Sequence, residues 1–514
     1  MPFKSGWRPS RWATHGSWLA RGSVVVLALS STLAIRSVLV QLPLRAEAGY
    51  GDSYVMYDVR HFESTGQIYR DLHTPPYLPT QYSPLVYAVL SLPGRLVGDS
   101  HSLVGTRVLV LAAFLGCVSL AGSITRRLVP VPAAGWWALA LAASISTFWN
   151  WAIQIRADFL GVFCSLLAVR ALLSHRPAAV VLAAVAAGLA VQFKLTFVAA
   201  GLAGIVWLAA GREWRRLLLF TAVASLASAG LYAAWAVREP RMLSQILALS
   251  PGVPDRAGAM LLMQIVLSQP APILAIVGVA TLPPPVARPW GLVIIFCTAA
   301  FGVGALTSLQ SGANQNYYFE YLFALIPLAV RGVLRFERLS ANRALAGLVV
   351  LALALTVGAR YRVAEVRAAG NRPSNARVLD ARIRLLSPVL ATRRSMATVP
   401  WVAVLDAHPS LVEPYLLSYL TRLGRTSPTP LPAEIRTKAF DAVFTATTAQ
   451  VYRGVPHIDG SLRDAIAATY VPYCVVGSVL AHLPEGSPPE ATPLAAELRA
   501  AGCRPLTPDT TPAW

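Results

Sequence analysis

Repeated apolar segments, each about as long as a bilayer is thick, constrain this chain more than any other feature. A transmembrane helix needs roughly 20 apolar residues. Only 13% of the residues are charged, against about 25% in ordinary soluble domains, so we exclude a soluble enzyme, a coiled coil and a disordered chain. We predict a polytopic α-helical membrane protein with about 11 transmembrane helices, at 22–44, 103–125, 131–150, 157–174, 177–192, 195–210, 216–237, 262–285, 289–309, 317–333 and 344–359.

The arginines indicate which loops face the cytoplasm. Segment 83–96 is apolar but short, and it contains Pro84 and Pro93. A twelfth span there would move most loop arginines outside, against the enrichment of Lys and Arg in inner loops. We therefore expect 83–96 to be a juxtamembrane or re-entrant helix. The inner loops then hold Arg126, Arg127, Arg176, Arg212, Arg215, Arg216, Arg288, Arg331, Arg335, Arg338 and Arg343.

This topology predicts three parts in a multi-pass protein of the plasma membrane. They are a cytoplasmic N-terminus (1–21), a transmembrane domain (22–359) with an outer loop at 45–102, and an extracytoplasmic tail (360–514). Short outer turns are expected at 150–156, 192–194, 238–256 and 310–317. The net charge of +20 is then mostly a topology signal rather than the footprint of a nucleic-acid partner.

The tail has the pattern of a small C-terminal α/β domain. Strands are predicted at 401–407, 440–446 and 473–479, and helices at 410–424 and 461–470. Cys474 and Cys503 are the only cysteines of the tail. Outside the cell they would form a disulfide or remain two free thiols, and the sequence leaves both open. The chain has no CxxC motif or Cys/His cluster, so we expect no metal site.

Two carboxylates stand out in the outer loop, directly after the first span. Asp52 and Asp58 lie six positions apart near the outer end of that span. A carboxylate held at the interface can act as a general base on a hydroxyl that arrives from the aqueous side. The alternative is a solvated loop with ordinary surface charges.

Cations stand out in two of the outer turns. Arg156 can hold a phosphate, or it can pair locally with Asp158 and cap a helix. Lys194 lies at the tip of an apolar hairpin, in a chain with three lysines. An ammonium at headgroup level suits a lipid-linked phosphate, although a snorkelling lysine is the alternative.

A dense polar and aromatic patch enters the tenth span. It contains Asn314, Gln315, Asn316, Tyr317, Tyr318 and Glu320. Amide, tyrosine and carboxylate side chains are suited to gripping sugar hydroxyls or a pyranose face. An aromatic belt at the membrane interface is the alternative, and it accounts for the tyrosines but not for Glu320 or the amides.

Taken in order, these motifs resemble those of the GT-C glycosyltransferases. The similar group is the polyprenyl-phosphate-sugar-dependent one, which includes protein O-mannosyltransferases and lipid A aminoarabinose transferases. The resemblance covers about residues 15–335, and the tail more loosely. It rests on GDSYVMYD (51–58), a G-x-x-Y-x-D pattern (66–71), Tyr82-Ser83-Pro84-Leu85, the Arg156/Asp158 turn, the Lys194 turn (193–196) and the patch at 316–320.

The resemblance implies that a sugar moves from a polyprenyl-phosphate donor to a hydroxyl of a glycan, lipid or protein acceptor at the outer face, with inversion. Asp52 matches the position of the catalytic base, the second acidic position holds Ser53, and Asp58 is the alternative. Arg156 and Lys194 match donor phosphate-binding positions. The scheme implies no cofactor and no metal. The implied substrate-binding residues are Tyr69, Asp158, Asn316, Tyr317 and Glu320.

Two other classes of function remain open. A transporter or lipid flippase of the cell envelope predicts charges near the bilayer midplane and internal repeats. Here the polar clusters gather at the outer face, and no inverted repeat is evident in the sequence. A non-enzymatic membrane scaffold with the tail as its binding module would leave the loop carboxylates dispensable.

Overall fold

The computed structural model describes most of the chain, in segments that cover both the membrane part and the tail. The described residues are 11–44, 46–49, 51–97, 103–174, 176–248, 254–310, 312–336, 339–391, 393–398, 412–425, 430–446, 451–452, 455–456, 458–476, 479–486 and 492–506. The predicted strand at 401–407 lies outside them.

The regular secondary-structure elements that the structure describes before the tail are all helices, and α19 continues into the tail. A π-helical turn (Leu226–Gly230) joins α11 to α12, and a 3-10 turn (Gln315–Tyr318) precedes α17. The helices are α1 (Arg11–Gln41), α2 (Asp52–Thr65), α3 (Pro84–Leu90), α4 (Leu92–Val97), α5 (Val104–Leu128), α6 (Ala134–Ala143), α7 (Ser146–Trp151), α8 (Asp158–Leu172), α9 (Pro177–Phe193), α10 (Ala199–Ala210), α11 (Trp214–Ser225), α12 (Leu231–Arg238), α13 (Met242–Ala248), α14 (Arg256–Leu267), α15 (Pro270–Ala280), α16 (Arg288–Ser308), α17 (Phe319–Arg335), α18 (Ala341–Val357) and α19 (Ala359–Ala391).

Every predicted span contains a helix. Among the described residues, five helices are long and apolar enough to cross a membrane on their own: Arg21–Gln41, Val104–Leu128, Trp214–Arg238, Arg288–Ser308 and Gln315–Arg335. Helices α14 and α15 make a sixth if they count as one span bent by 64°. Pro270 opens α15, and a residue before proline avoids the helical conformation, which accounts for the bend. The chain is an integral membrane protein, and the count of eleven stays a prediction.

The helical core is held by close backbone contacts and by an aromatic cluster. A Cβ atom on Gly278 of α15 would lie 1.9 Å from the Leu328 carbonyl oxygen of α17, so this helix pair depends on small residues at its interface. Phe148 stacks on Phe323 with ring centroids 4.2 Å apart, and Phe159 stacks on Phe319 at 5.1 Å. These rings fix the ends of α7, α8 and α17 against one another.

The tail contains a five-stranded sheet of order β1-β2-β6-β5-β7. Its strands are β1 (Ser395–Ala397), β2 (Ala442–Ala446), β5 (Tyr470–Val476), β6 (Val479–Pro484) and β7 (Arg504–Pro505), and β3 (Val451–Tyr452) pairs with β4 (Val455–Pro456). The β1–β2 pair is parallel and the other pairs are antiparallel. The predicted strands at 440–446 and 473–479 coincide with β2 and overlap β5.

Helices cover both faces of this sheet. The C-terminal half of α19 and α23 (Pro493–Ala500) pack on one face, and α20 (Pro414–Arg422), α21 (Leu431–Arg436) and α22 (Gly460–Thr469) pack on the other. Helix α20 lies within the predicted segment 410–424, and α22 matches the predicted segment 461–470 to within one residue at each end. Cys474 and Cys503 are joined in a disulfide, with their Cα atoms 5.6 Å apart.

The first outer loop packs against the tail. Tyr77 forms an isolated parallel bridge with Val412, and its hydroxyl donates to Glu434 Oε1 at 2.7 Å. Arg425 of the tail donates to the Ala248 carbonyl oxygen at 2.6 Å. The outer loop, the turn that follows α12 and the tail therefore share one side of the molecule, which the predicted topology requires.

Candidate active site

A cavity of about 1000 Å³ opens where the predicted outer segments meet the tail. Its wall comes from the turns before α2, α3, α8, α10 and α17, from the ends of α7 and α9, and from α12, α13, α19 and α20. Four of the predicted site residues line it, namely Arg156, Lys194, Asn316 and Tyr317. Asp52, Asp58, Tyr69, Asp158 and Glu320 are not among its lining residues.

Asp158 lies behind the wall and holds two lining residues in place. Its Oδ1 atom accepts hydrogen bonds from Lys194 Nζ and from Asn316 Nδ2, both at 2.9 Å. Asp158 is 2% exposed, and its Oδ2 atom has no hydrogen-bond partner among the described residues. The carboxylate thus fixes an ammonium and an amide that come from two different turns.

Lys194 is framed by aromatic rings as well as by Asp158. Its Nζ atom lies 4.0 Å from the ring centroid of Tyr317 and 5.7 Å from that of Phe197. Both distances are within the range of a cation–π interaction. The ammonium is therefore held at the cavity wall instead of snorkelling freely.

Arg156 reaches the wall from the turn before α8. Its Nη1 atom donates to the Tyr82 hydroxyl at 3.4 Å, and its guanidinium lies 5.3 Å from the Trp151 ring centroid. Gly51, which has a φ of 92°, allows the loop before α2 to lie close to the Arg156 guanidinium. A Cβ atom added to Gly51 would lie 3.3 Å from Arg156 Nη2. Arg156 and Lys194 place two cations in one cavity.

Asp52 lies behind the same wall, adjacent in sequence to the lining residue Gly51. Its Oδ1 atom accepts the Ile155 N–H at 3.0 Å, and its Oδ2 atom accepts those of Ala48 and Gly49 at 3.1 and 3.3 Å. Asp52 is 0% exposed. Burial raises its pKa, while the charges of Arg107 and Arg156 oppose that shift. A carboxylate with a raised pKa is a stronger base at neutral pH.

Arg107 and Glu47 complete the surroundings of Asp52, and the sequence assigned neither a role there. Arg107 Nη2 lies 3.9 Å from Asp52 Oδ2, and Nη1 donates to the Gln41 carbonyl oxygen at 3.0 Å. Glu47 Oε1 accepts from the backbone N–H and the hydroxyl of Ser53, at 2.8 and 2.6 Å. Burial, and then the charge of Asp52, raise the pKa of Glu47 to about 7.

Asp58 and Tyr69 lie deeper in the outer loop. Asp58 is buried and paired with Arg70, and burial raises the pKa of Asp58 to about 6 although Arg70 opposes the shift. The Tyr69 hydroxyl donates to the Tyr82 carbonyl oxygen at 2.5 Å, and the Tyr69 N–H donates to Glu239. Tyr69 thereby supports Tyr82, which does line the cavity.

Glu320 is buried among the helices at the first turn of α17. It is 3% exposed, and its Oε1 atom has no hydrogen-bond partner among the described residues. The polar patch predicted at 311–323 therefore divides into lining residues and one buried carboxylate behind them.

Helix α19 contributes lining residues that the sequence analysis did not identify. Tyr361, Glu365 and Arg372 face the cavity from this helix. Asn150 donates to Glu365 Oε1 at 2.9 Å and accepts from Arg372 Nη1 at 2.6 Å. In the sequence, segment 360–394 stood out only for its many basic residues. The helical spacing of residues 361, 365 and 372 would have placed them on one face.

No group of three or more His, Cys, Asp or Glu side chains suited to a metal occurs among the described residues. The cavity wall offers cations, amides and aromatic rings instead. Cations and amides donate hydrogen bonds to phosphate and to sugar hydroxyls, and aromatic rings stack on the apolar face of a sugar ring.

No protein-family profile matches the sequence, and no curated protein matches it. Solved structures do match the fold. Two of them are structures of ArnT from Cupriavidus metallidurans, one apo and one bound to undecaprenyl phosphate, and each is 15% identical to this chain with a TM-score of 0.59. The alignment with the apo structure covers 90% of this chain and 98% of the ArnT chain.

The apo oligosaccharyltransferase of Archaeoglobus fulgidus is a second structural relative. It is 14% identical with a TM-score of 0.51, over 89% of this chain and 75% of the other. Identities this low show a shared fold. At the level of the fold, the comparisons confirm the resemblance to GT-C glycosyltransferases that the sequence motifs predicted.

Proposed function

We propose that the chain is a membrane glycosyltransferase that moves a sugar from a polyprenyl-phosphate donor to an acceptor hydroxyl at the outer face. One observation carries the proposal. The cations Arg156 and Lys194 line a single cavity together with Asn316 and Tyr317, although the sequence separates these residues widely. A related structure with this fold, ArnT, binds undecaprenyl phosphate.

The donor phosphate binds between Lys194 and Arg156, whose side chains approach the cavity from neighbouring turns. Charge-assisted hydrogen bonds from an ammonium and a guanidinium are strong phosphate contacts. The prenyl chain lies among the apolar helices beside the cavity. Asn316 and Tyr317 contact the sugar, and Asp158 keeps Asn316 and Lys194 oriented through its Oδ1 atom.

Asp52 acts as the general base. It takes the proton of the acceptor hydroxyl, and the acceptor oxygen forms a bond to the anomeric carbon on the face opposite the phosphate. The bond from that carbon to the phosphate oxygen breaks, its electron pair leaves with polyprenyl phosphate, and the configuration inverts. Lys194 and Arg156 stabilise the leaving phosphate.

Catalysis by Asp52 requires a local movement, because Asp52 Oδ2 accepts from Ala48 and Gly49 and the side chain is fully buried. The turn between α1 and α2 contains Gly49 and Gly51, and glycines permit backbone changes at low cost. Displacement of this turn by the acceptor would expose the carboxylate to the cavity.

The proposed orientation places the N-terminus in the cytoplasm and the tail outside the plasma membrane. The arginine distribution and the Cys474–Cys503 disulfide support it, since disulfides persist in oxidising compartments. A single cysteine at exposed Asn371 of α19 should react with a membrane-impermeant thiol reagent in intact cells. Protection there until the cells are lysed would contradict this orientation.

The donor site is tested on the purified chain in nanodiscs, with undecaprenyl phosphate as the probe and a panel of polyprenyl-phosphate sugars for transfer. Lys194→Ala should raise the Kd for undecaprenyl phosphate at least ~10-fold, because losing a buried charge contact typically costs more than ~1.4 kcal/mol. Lys438→Ala removes a tail lysine that contacts Glu485 and is the matched control.

Two outcomes would overturn the proposal. One is equal affinity of wild type and Lys194→Ala for undecaprenyl phosphate. The other is movement of the sugar lipid across the bilayer without any transfer to an acceptor, which would identify a transporter instead.

A further inference from the structure

The cavity also has lining residues from the tail, distant in sequence from the turns that carry Arg156 and Lys194. Helix α19 presents Tyr361, Ala364, Glu365, Ala368 and Arg372 to it. These positions recur every three or four residues and so form one helical face. Alanine at 364 and 368 leaves a trough between the larger side chains.

The polar groups of this trough are fixed before any ligand arrives. Glu365 accepts from Ser146 and from Asn150, and Arg372 donates to the other end of the same Asn150 amide. Gln315 donates to the Tyr361 hydroxyl. Groups that are already oriented lose less entropy when a ligand binds them.

Helix α20 supplies a further part of the cavity wall. Tyr415 and Tyr419 both line the cavity, and their rings lie side by side at a centroid distance of 6.2 Å and an interplanar angle of 18°. Aromatic edges and faces of this kind contact the apolar C–H surface of a sugar ring. The trough therefore combines rings with hydrogen-bonding side chains.

The charge of the trough argues against an anionic ligand. Glu365 and Arg372 carry opposite charges, interact with each other and share Asn150. The wall as a whole carries seven side-chain amides, at 81, 150, 154, 310, 314, 315 and 316, and amides both donate to and accept from hydroxyls. No lining residue lies in a described β-strand, so a peptide has no strand there to extend.

We propose that this trough, between α19 and α20, is the acceptor site and that it takes an uncharged glycan, whose ring stacks on the tyrosines while its hydroxyls bind Glu365, Asn150 and Arg372. The assignment of the glycan as acceptor rests on the proposed glycosyltransferase function. Binding of the glycan itself does not, because it requires no donor.

The experiment measures binding to the full-length protein in nanodiscs by saturation-transfer NMR. The probes are uncharged hexasaccharides of hexoses and of pentoses, a Ser/Thr-containing peptide and a phosphorylated glycolipid. Ala364→Trp fills the trough with an indole and should weaken oligosaccharide binding at least ~10-fold. Ala381→Trp, at an exposed position of the same helix, is the matched control.

At least one oligosaccharide should bind the wild type and the Ala381→Trp variant equally, and undecaprenyl phosphate should bind both variants as it binds wild type. Failure of every oligosaccharide, binding of the peptide or glycolipid alone, or equal oligosaccharide binding by both variants would overturn the inference. Failure of undecaprenyl phosphate to bind the wild type would instead contradict the proposed function, so the two failures are distinguishable.

Discussion

Asp52 and Asp158 are two buried carboxylates behind one cavity wall, and the structure holds them in different ways. Backbone N–H groups of Ala48, Gly49 and Ile155 occupy both oxygens of Asp52. Asp158 instead binds the side chains of Lys194 and Asn316 through one oxygen. Its other oxygen has no hydrogen-bond partner in the part of the chain that the structure describes.

The difference shows that the hydrogen-bond partners of a buried carboxylate decide which other groups it holds in position. The backbone partners of Asp52 lie in two loops, one before α2 and one before α8. Exposure of Asp52 therefore requires one of these loops to move. Side-chain partners make Asp158 a support for Lys194 and Asn316, which line the cavity. The unoccupied Oδ2 atom of Asp158 leaves it able to accept one further hydrogen bond, which buried polar atoms normally find.

The largest effect is expected from Asp52→Asn. The asparagine amide cannot take a proton, so transfer should fall by roughly 10²–10⁴-fold, the usual contribution of general-base catalysis. Turnover at saturating donor is the measurement. Binding of undecaprenyl phosphate should persist, which separates loss of the base from loss of the fold.

If this variant turns over within about threefold of wild type, Asp52 is a structural link between the two loops and not the base. Asp58→Asn, which removes the alternative carboxylate of the outer loop, is then the informative variant.

A smaller effect is expected from Asp158→Asn, which leaves the Lys194 ammonium without its carboxylate partner. Breaking a buried ion pair on one side costs about 3 kcal/mol in the free energy of unfolding. The Kd for undecaprenyl phosphate should rise about 10-fold as Lys194 and Asn316 lose orientation. Calorimetry and lipid binding in nanodiscs measure the two quantities.

The double variant Asp158→Asn/Lys194→Met sharpens this prediction. It should recover most of the lost stability, since no unpaired charge remains, but not the lost affinity. Asp464→Asn, in the exposed Arg463–Asp464 pair, is the matched control, and it should change stability by less than about 1 kcal/mol. Recovery of lipid binding in the double variant would contradict a role of Lys194 at the phosphate.

The smallest effect is expected at Glu47, beside Asp52. Its pKa is raised to about 7 in the folded protein, against an ordinary value near 4.3 in an unfolded chain. The neutral acid is therefore favoured by folding, and its contribution to stability is full below about pH 4 and is lost as pH rises through 7. Glu47→Gln keeps a neutral side chain at every pH.

Thermal unfolding at pH 5 and pH 8 checks this sign. Wild type should lose a few degrees of Tm relative to Glu47→Gln between these pH values. Parallel melting temperatures across that range would show that Glu47 does not titrate there.

Much of the fold follows from the hydrophobic pattern. An apolar run of about 20 residues in a bilayer forms a helix, because a helix pairs its backbone N–H and C=O groups internally. The two cations of the proposed donor site were equally visible, since Arg156 and Lys194 stand at turns between apolar runs. The sequence could not predict the burial of Asp52, because one of the residues that donate to it, Ile155, lies 103 positions further along the chain.

Helix α19 shows why the remainder was missed. Gly370 and Pro373 lie inside this continuous helix, and both residues have low helix propensity. Its stability comes instead from packing against α1 and the tail sheet. Glu365 and Arg372 acquire a shared partner, Asn150, through a contact that spans more than 200 positions.

One consequence concerns how the tail of this protein can change. Helix α19 has 33 residues, so it is a rod about 50 Å long that carries the trough near one end and the sheet near the other. A single inserted residue between Arg372 and Ala376 would turn the sheet by about 100° relative to the trough. The number of residues in α19 therefore sets the rotation of the sheet relative to the trough. A tail exchanged between related proteins would function only if this number were kept.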